Sequence, residues 1–142
     1  MKKVISLYTV LLFLLTQFTA TAVTPKKKAV TTVSNVTKVE VYYFHFTRRC
    51  VTCQAVENES KEALKELYPA QYKSGKVTFK AVNLDEKGSK ELVKKCRAEG
   101  QQLLVICGTR RFDLTEQGFM YAKNNPDKLK QVIKSTIDPF IK

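Results

Sequence analysis

The sequence predicts a single α/β domain, because segments typical of strands alternate with segments typical of amphipathic helices. The 142 residues are 44% apolar, 27% charged and 10% aromatic, with only five Gly and four Pro, as in one globular domain. This composition excludes collagen-like, low-complexity and wholly disordered chains. The length also falls below the roughly 250–300 residues at which single cores divide. The predicted element order is β-α-β-α-β-β-α.

The first 22 residues have the three parts of a secretory signal peptide. Met1-Lys2-Lys3 is a basic start, Val4 to Phe18 is an apolar run, and Ala20-Thr21-Ala22 is a small-x-small cleavage pattern. A transmembrane anchor is the competing interpretation, but the run is shorter than the roughly 20 residues that cross a bilayer. We therefore expect cleavage after Ala22, a periplasmic or secreted protein, and no stable membrane insertion of the mature chain.

The chain is strongly basic, with a formal net charge of +12. Removal of residues 1–22 takes away two lysines and no acids, which leaves +10. The lysines are spread along predicted helix faces and mixed with Glu and Asp, which is typical of a solvated surface. Together with the export signal, this pattern argues against a nucleic-acid partner.

The mature chain begins with a polar stretch and then enters a buried strand. Residues 23–37 have no aromatic residue and no helical period, so we interpret them as a linker or flexible N-terminal arm before a domain over 38–142. Lys38 to Phe46 is rich in β-branched and aromatic residues, as in a central strand. Apolar residues recur at helical spacing from Thr52 to Tyr68, and Pro69 is expected to end that helix.

The second half of the chain predicts the remaining elements. A second strand is expected over Val77 to Leu84, and a helix over Ser89 to Glu99 that Gly100 ends. Two short strands follow, Leu103 to Cys107 and Arg111 to Thr115, joined by a hairpin-length connection. A final helix is capped by Asn125, with Pro126 in its first position. Its predicted inner face consists of Leu129, Val132, Ile133, Ile137 and Phe140.

Two of the four cysteines form a C-x-x-C motif, Cys50-Val51-Thr52-Cys53, where the first strand gives way to the first helix. Unpaired backbone N–H groups and the helix dipole at such a position favour a thiolate, which is the form that attacks disulfides. Arg48 and Arg49 add positive charge that further favours the thiolate. We therefore predict Cys50 as the attacking thiol and Cys53 as the resolving thiol, which expels the bound partner.

With C-x-x-C at a strand-to-helix junction and this element order, the chain from about Lys38 to Lys142 resembles the thioredoxin-like superfamily. Lys80 to Asp85 looks like the family's second core strand, and Gly100 to Ile106 like the strand beside the active-site pair. The resemblance implies a central mixed sheet of about four strands flanked by helices. It also implies disulfide exchange with protein thiols or disulfides and no cofactor. In an oxidising compartment such a pair would need a membrane redox partner to regenerate it.

The chain departs from the family pattern in three places. Arg-Cys-Val-Thr-Cys replaces the usual Trp-Cys-Gly-Pro-Cys. The family's cis-proline before the third strand is replaced by Gln101-Gln102, so we expect a trans backbone there and a differently shaped substrate groove. Phe44 matches by spacing the buried acid of many thioredoxins, and its side chain cannot accept a proton.

His45, the only histidine, has two interpretations. It could relay protons to the resolving thiol or, with the two sulfurs, contribute to a metal site. The simpler interpretation, which we adopt, is a strand histidine satisfied by a backbone carbonyl. We expect no metal cofactor, although the two sulfurs of a C-x-x-C motif could bind copper(I).

Cys96 and Cys107 are expected to remain buried free thiols. Although exported proteins form disulfides, the predicted helix and strand place these residues beyond the Cα separation of about 4.4–6.8 Å that a disulfide needs.

The sequence therefore predicts an exported thiol-disulfide oxidoreductase that acts through Cys50 and Cys53. The alternative is a non-enzymatic thioredoxin-like module that binds a partner protein or copper(I), because a fold does not fix its function.

Overall fold

A computed structural model describes residues 38–141. The predicted signal peptide (1–22) and linker (23–37) lie outside the described residues. Within 38–141 the strands form one sheet in the order β2-β1-β3-β4. They are β1 (Val39–His45), β2 (Val77–Asn83), β3 (Gln102–Cys107) and β4 (Arg110–Asp113). Because β1 is parallel to β2 but antiparallel to β3, the sheet is mixed, as the sequence predicts.

Helices cover both faces of this sheet. They are α1 (Val51–Leu67), α2 (Pro69–Lys73), α3 (Lys90–Cys96), α4 (Thr115–Tyr121) and α5 (Pro126–Ile141), with a 3-10 helix over Lys87–Ser89. Within the described range, none of these helices is long and apolar enough to cross a membrane.

Side chains on β1 alternate between two apolar clusters, one on each face of the sheet. Val39, Val41 and Tyr43 pack on the face that carries α1, α4 and α5. Tyr42 and Phe44 pack on the opposite face, together with α3. The whole strand apart from Glu40 is therefore buried, which confirms that it is central.

The first helix ends before Pro69, as predicted, because α1 stops at Leu67 with Tyr68 as its C-cap. Pro69 then opens the separate short helix α2, since the fixed φ of proline suits a first helical position. Two other predicted boundaries are wrong, each for a local reason. The residue that ends α3 is Arg97, not Gly100; Arg97 adopts a left-handed conformation with φ of 51°. Strand β4 ends at Asp113 and not at Thr115. The Asp113 carboxylate accepts the Thr115 backbone N–H (3.0 Å), and α4 begins at Thr115 instead.

The last helix agrees with its prediction. The Asn125 side chain accepts a hydrogen bond from the Lys128 backbone N–H (3.1 Å), as expected of an N-cap. The predicted inner face of α5 packs on the α1 side of the sheet, with Leu129, Ile133 and Ile137 fully buried.

Candidate functional site

The loop before the cysteine pair is anchored to the end of β2. The Thr47 backbone N–H donates to Asp85 Oδ2 (2.8 Å), and the Thr47 hydroxyl accepts from the Asn83 amide (3.0 Å). The His45 carbonyl also accepts from the Leu84 backbone N–H (2.7 Å). These bonds fix where β1 ends and therefore where α1 begins.

Cys50 is the N-cap residue of α1. Its Sγ accepts a hydrogen bond from the Cys53 backbone N–H (3.3 Å), and its carbonyl accepts from the Gln54 N–H (3.1 Å). A cysteine sulfur thus takes the place of the hydroxyl or carboxylate oxygen that usually satisfies a free N–H at a helix start.

The two sulfurs of the pair are adjacent but differ in access to solvent. Cys50 Sγ lies 2.6 Å from Cys53 Sγ, and both residues are free thiols. Cys50 is exposed, whereas Cys53 is only 7% exposed. A large reactant therefore reaches Cys50 first.

The pKa of the Cys53 thiol is lowered from its ordinary value. Burial by itself raises this pKa, but hydrogen bonds from the Cys50 thiol, the Gln101 amide and backbone N–H groups outweigh burial. Because the two sulfurs are so close, their ionisation belongs to the pair and not to one residue.

Tyr43 lies beneath this pair, in a position that the sequence alone does not predict. Its ring is fully buried, and its hydroxyl accepts a hydrogen bond from Gln101 Nε2 (2.7 Å) and contacts the Cys53 thiol. Burial is the main reason that the pKa of Tyr43 is raised to about 12. Strand alternation is the signal that could have found it, because Tyr43 and Phe44 must point to opposite faces. Phe44, selected by spacing, packs away from Cys53 on the α3 side.

The two arginines before the pair are placed differently. Arg48 is exposed on the loop. Arg49 is half-buried, and its guanidinium forms an ion pair with the Glu57 carboxylate on α1. The positive charge of Arg49 is therefore shared with a carboxylate, and stabilisation of the Cys50 thiolate by these arginines stays a prediction.

His45 has the environment expected of a strand histidine that bonds a backbone carbonyl. It is 8% exposed, its Nδ1 donates to the Phe46 carbonyl (2.9 Å), and its ring centroid lies 5.8 Å from that of Tyr43. The Nδ1 hydrogen bond of His45 is therefore made to the backbone and not to a sulfur. Among residues 38–141, no group of three or more His, Cys, Asp or Glu side chains is arranged to hold a metal ion.

Gln101 and Gln102 line an open cleft whose lining includes neither Cys50 nor Cys53. No peptide bond in the described part of the chain is cis, which agrees with the trans backbone expected here. The Gln102 side chain accepts the Glu99 backbone N–H (2.9 Å) and donates to Asp113 (2.8 Å). The cleft encloses about 660 Å³ and is lined by Glu99, Gly100, Gln101, Gln102, Asp113, Thr115, Glu116 and Gln117. Its lining is polar, so it differs from an apolar substrate groove.

Cys96 and Cys107 are buried free thiols, as predicted. They lie in different clusters, Cys96 on the α3 side of the sheet and Cys107 on the α1 side. Burial raises the pKa of Cys96, and it raises the pKa of Cys107 to about 11. Neither thiol is suited to attack a disulfide at neutral pH.

Comparison with known proteins finds similarity to a solved structure only at the level of the chain fold. No protein-family model matches the chain, and no curated protein matches it. The crystal structure of oxidised thioredoxin O2 from Arabidopsis thaliana is similar, with a TM-score of 0.48 and 20% identity over 75% of this chain and 77% of that chain. In residues 38–141, the mixed four-stranded sheet, its flanking helices and the cysteine pair at the β1–α1 junction form the thioredoxin-like fold that the sequence predicts.

Proposed function

We propose that this protein catalyses thiol–disulfide exchange with protein partners by interconverting Cys50 and Cys53 between the dithiol and disulfide forms. The observation that carries the proposal is an exposed sulfur at the start of a helix, 2.6 Å from a buried sulfur whose pKa is lowered. This arrangement separates the two functions that exchange requires, which are access for the first attack and ionisation for the second.

In the reducing direction, the Cys50 thiolate attacks one sulfur of a partner disulfide. The partner S–S bond breaks, and the leaving sulfur departs as a thiolate that takes a proton from water. The Cys53 thiolate then attacks Cys50 Sγ and breaks the mixed disulfide, which releases the second partner sulfur. The partner has gained two electrons and two protons, and the Cys50–Cys53 pair has lost them. The oxidising direction is the reverse of these steps.

Apolar side chains next to the pair support a protein partner rather than a small thiol. Val51 directly follows Cys50, and Phe46 precedes it by four residues on the same loop. They are 67% and 45% exposed, which is high for large apolar residues. Such residues are available to contact a polypeptide that carries the reacting disulfide.

The test is a glutathione redox titration of the purified protein, with alkylation and mass analysis of each cysteine. We expect Cys50 and Cys53 to titrate together, Cys50→Ser to abolish exchange, and Cys53→Ser to accumulate mixed disulfides. Cys96→Ser is the matched control, since this buried thiol lies on the other face of the sheet. Full exchange activity in Cys50→Ser would overturn the proposal.

A binding module is the second candidate, and the segment facing the pair favours it. Gln101 and Gln102 stand where the family has its cis-proline, and the polar cleft they enter is unlike an apolar substrate groove. Two adjacent thiolates also suit copper(I), which prefers soft sulfur ligands. Resistance of Cys50 and Cys53 to reduction by glutathione, or exchange only in the absence of added copper(I), would favour this candidate.

The compartment follows from the sequence prediction alone and is part of the proposal. We propose export to the periplasm or the exterior after cleavage at Ala22, and a membrane redox partner that regenerates the pair. N-terminal sequencing of the protein from fractionated cells tests cleavage, with Val23 as the expected first residue. Recovery of an uncleaved chain in the cytoplasmic fraction would contradict export.

A further inference from the structure

Two uncharged side chains meet beneath the buried sulfur of the pair. Tyr43 comes from β1 and Gln101 immediately precedes β3. The antiparallel register pairs Phe44 with Gln102, so Gln101 lies alongside the end of β1. Gln101 Nε2 donates to the Tyr43 hydroxyl oxygen (2.7 Å), and both side chains are within hydrogen-bonding reach of the Cys53 thiol.

The direction of these hydrogen bonds is fixed by the chemistry of the groups. The Tyr43 oxygen already accepts from Gln101, so its proton is available to the sulfur. Burial keeps the hydroxyl protonated at neutral pH, because it raises the pKa of Tyr43 to about 12. Tyr43 is therefore a donor and not a base. A chain of donors of this kind is polarised cooperatively when it ends on an anion.

We propose that Tyr43 and Gln101 are positioning residues that hold the Cys53 sulfur as a thiolate and thereby stabilise the dithiol state of the pair. A thiolate is a strong acceptor of charge-assisted hydrogen bonds, whereas the sulfur of a disulfide is a weak one. The two donors therefore favour the reduced protein over the oxidised protein. A pair whose reduced form is stabilised is a stronger oxidant. This part of the inference rests on the proposed exchange function.

Arg49 and His45, which lie near Tyr43, each have another partner. Arg49 approaches from the loop and is paired with Glu57. His45 lies on the same strand and is bonded to backbone. Cys50 Sγ lies next to the sulfur that Tyr43 contacts, 2.6 Å from Cys53 Sγ. Because Tyr43 keeps its own proton, the proton released by Cys53 does not pass to the Tyr43 oxygen.

The test compares two tyrosines of the same strand in the full chain. Tyr43→Phe removes the hydroxyl that reaches Cys53. Tyr42→Phe is the matched control, because Tyr42 is also buried on β1 but bonds Glu40 (3.1 Å) on the opposite face. Ionisation of the reduced pair is followed by the ultraviolet absorbance of the thiolate against pH. Cys96 and Cys107 ionise at higher pH, since burial raises the pKa of each.

We expect the pair in Tyr43→Phe to be an acid about tenfold weaker than in Tyr42→Phe, the scale of one hydrogen bond to a charged group. In glutathione buffer above the pKa of the pair, the equilibrium should shift about tenfold toward the disulfide form, or about 30 mV. Gln101→Leu, at a half-buried position, should change both quantities in the same direction even if Tyr43→Phe does not fold.

Equal ionisation of the pair in Tyr43→Phe, Gln101→Leu and Tyr42→Phe would overturn the inference. Because thiolate absorbance requires no exchange partner, this result is distinct from a failure of the proposed function. A wild-type pair that ionises as expected but does not exchange with glutathione would refute the function and leave the role of the two donors in ionisation intact.

Discussion

Gly118 is a position where the packing of α4 against α1 and β3 is sensitive to one added methyl group. It lies inside α4 and is buried. A Cβ built on it would lie 3.2 Å from Val56 Cγ1 and 3.3 Å from Leu103 Cδ2. Val56 and Leu103 are fully buried in the same cluster, so neither side chain can move away freely. We therefore expect Gly118→Ala to destabilise the fold.

Two opposing effects set the magnitude of this change. Alanine is favoured over glycine inside a helix by roughly 0.5–1 kcal/mol. An extra methyl group in a packed core costs roughly 1–3 kcal/mol. The net loss in the free energy of unfolding is therefore about 1 kcal/mol. Gly88→Ala is the control, because a Cβ there has no neighbour within 4 Å and should stabilise the fold by about 0.4–1 kcal/mol.

Urea unfolding of the reduced wild-type protein and the two variants measures both changes. The expected result is a lower midpoint for Gly118→Ala and a higher midpoint for Gly88→Ala, at unchanged slope. If Gly118→Ala were as stable as Gly88→Ala, the contact of α4 with Val56 and Leu103 would be looser than described, and the packing argument would fail.

Three further changes test separate parts of the structure. Asn125→Ala removes the cap of α5 and should lower the free energy of unfolding by about 1 kcal/mol in urea titration, whereas an unchanged midpoint would exclude a capping role. The pKa of Asp85 is lowered, chiefly by the Thr47 backbone N–H, so its contribution to stability is present above its ordinary pKa of 3.8 and is lost as pH falls. The stability difference between wild type and Asp85→Ala, measured against pH, should therefore narrow in acid, and a difference that widens there would refute this assignment. Iodoacetamide should modify Cys96 and Cys107 only after denaturation, as judged by mass analysis, because both are buried; rapid native labelling would contradict this.

Predictability from the sequence differs between the elements. β1, α1 and α5 carry long apolar patterns, and α5 also begins with a clear N-cap, so local chemistry and tertiary packing favour the same structure there. Helix α4 is only seven residues long and contains Gly118, so no helical period distinguishes it from the end of a strand. The close contact that needs this glycine is visible only when α1 and β3 are in place.

The candidate site shows the same limit. Cys50 and Cys53 were predictable because their spacing and their position at a helix start carry the chemistry by themselves. The contact of Tyr43 with Cys53 was not, because it depends on which face of β1 points toward α1. Gln101 reaches the pair through the register of β3, a long-range property. Spacing alone selected Phe44, one residue away and on the wrong face.

Under the proposed mechanism, the pair places accessibility and thiolate stabilisation on different sulfurs. The exposed sulfur of Cys50 makes the first bond to a partner, and while that mixed disulfide lasts, Cys53 is the only thiol of the pair. The donors Tyr43 and Gln101 act on Cys53, so they favour the thiolate that attacks Cys50 and releases the partner. Because both donors are uncharged, Tyr43 is fully buried and Gln101 is half-buried, salt screens their effect less than it screens that of the exposed Arg48. The buried half of the site therefore promotes release of a bound partner, and the exposed half governs which partner is attacked.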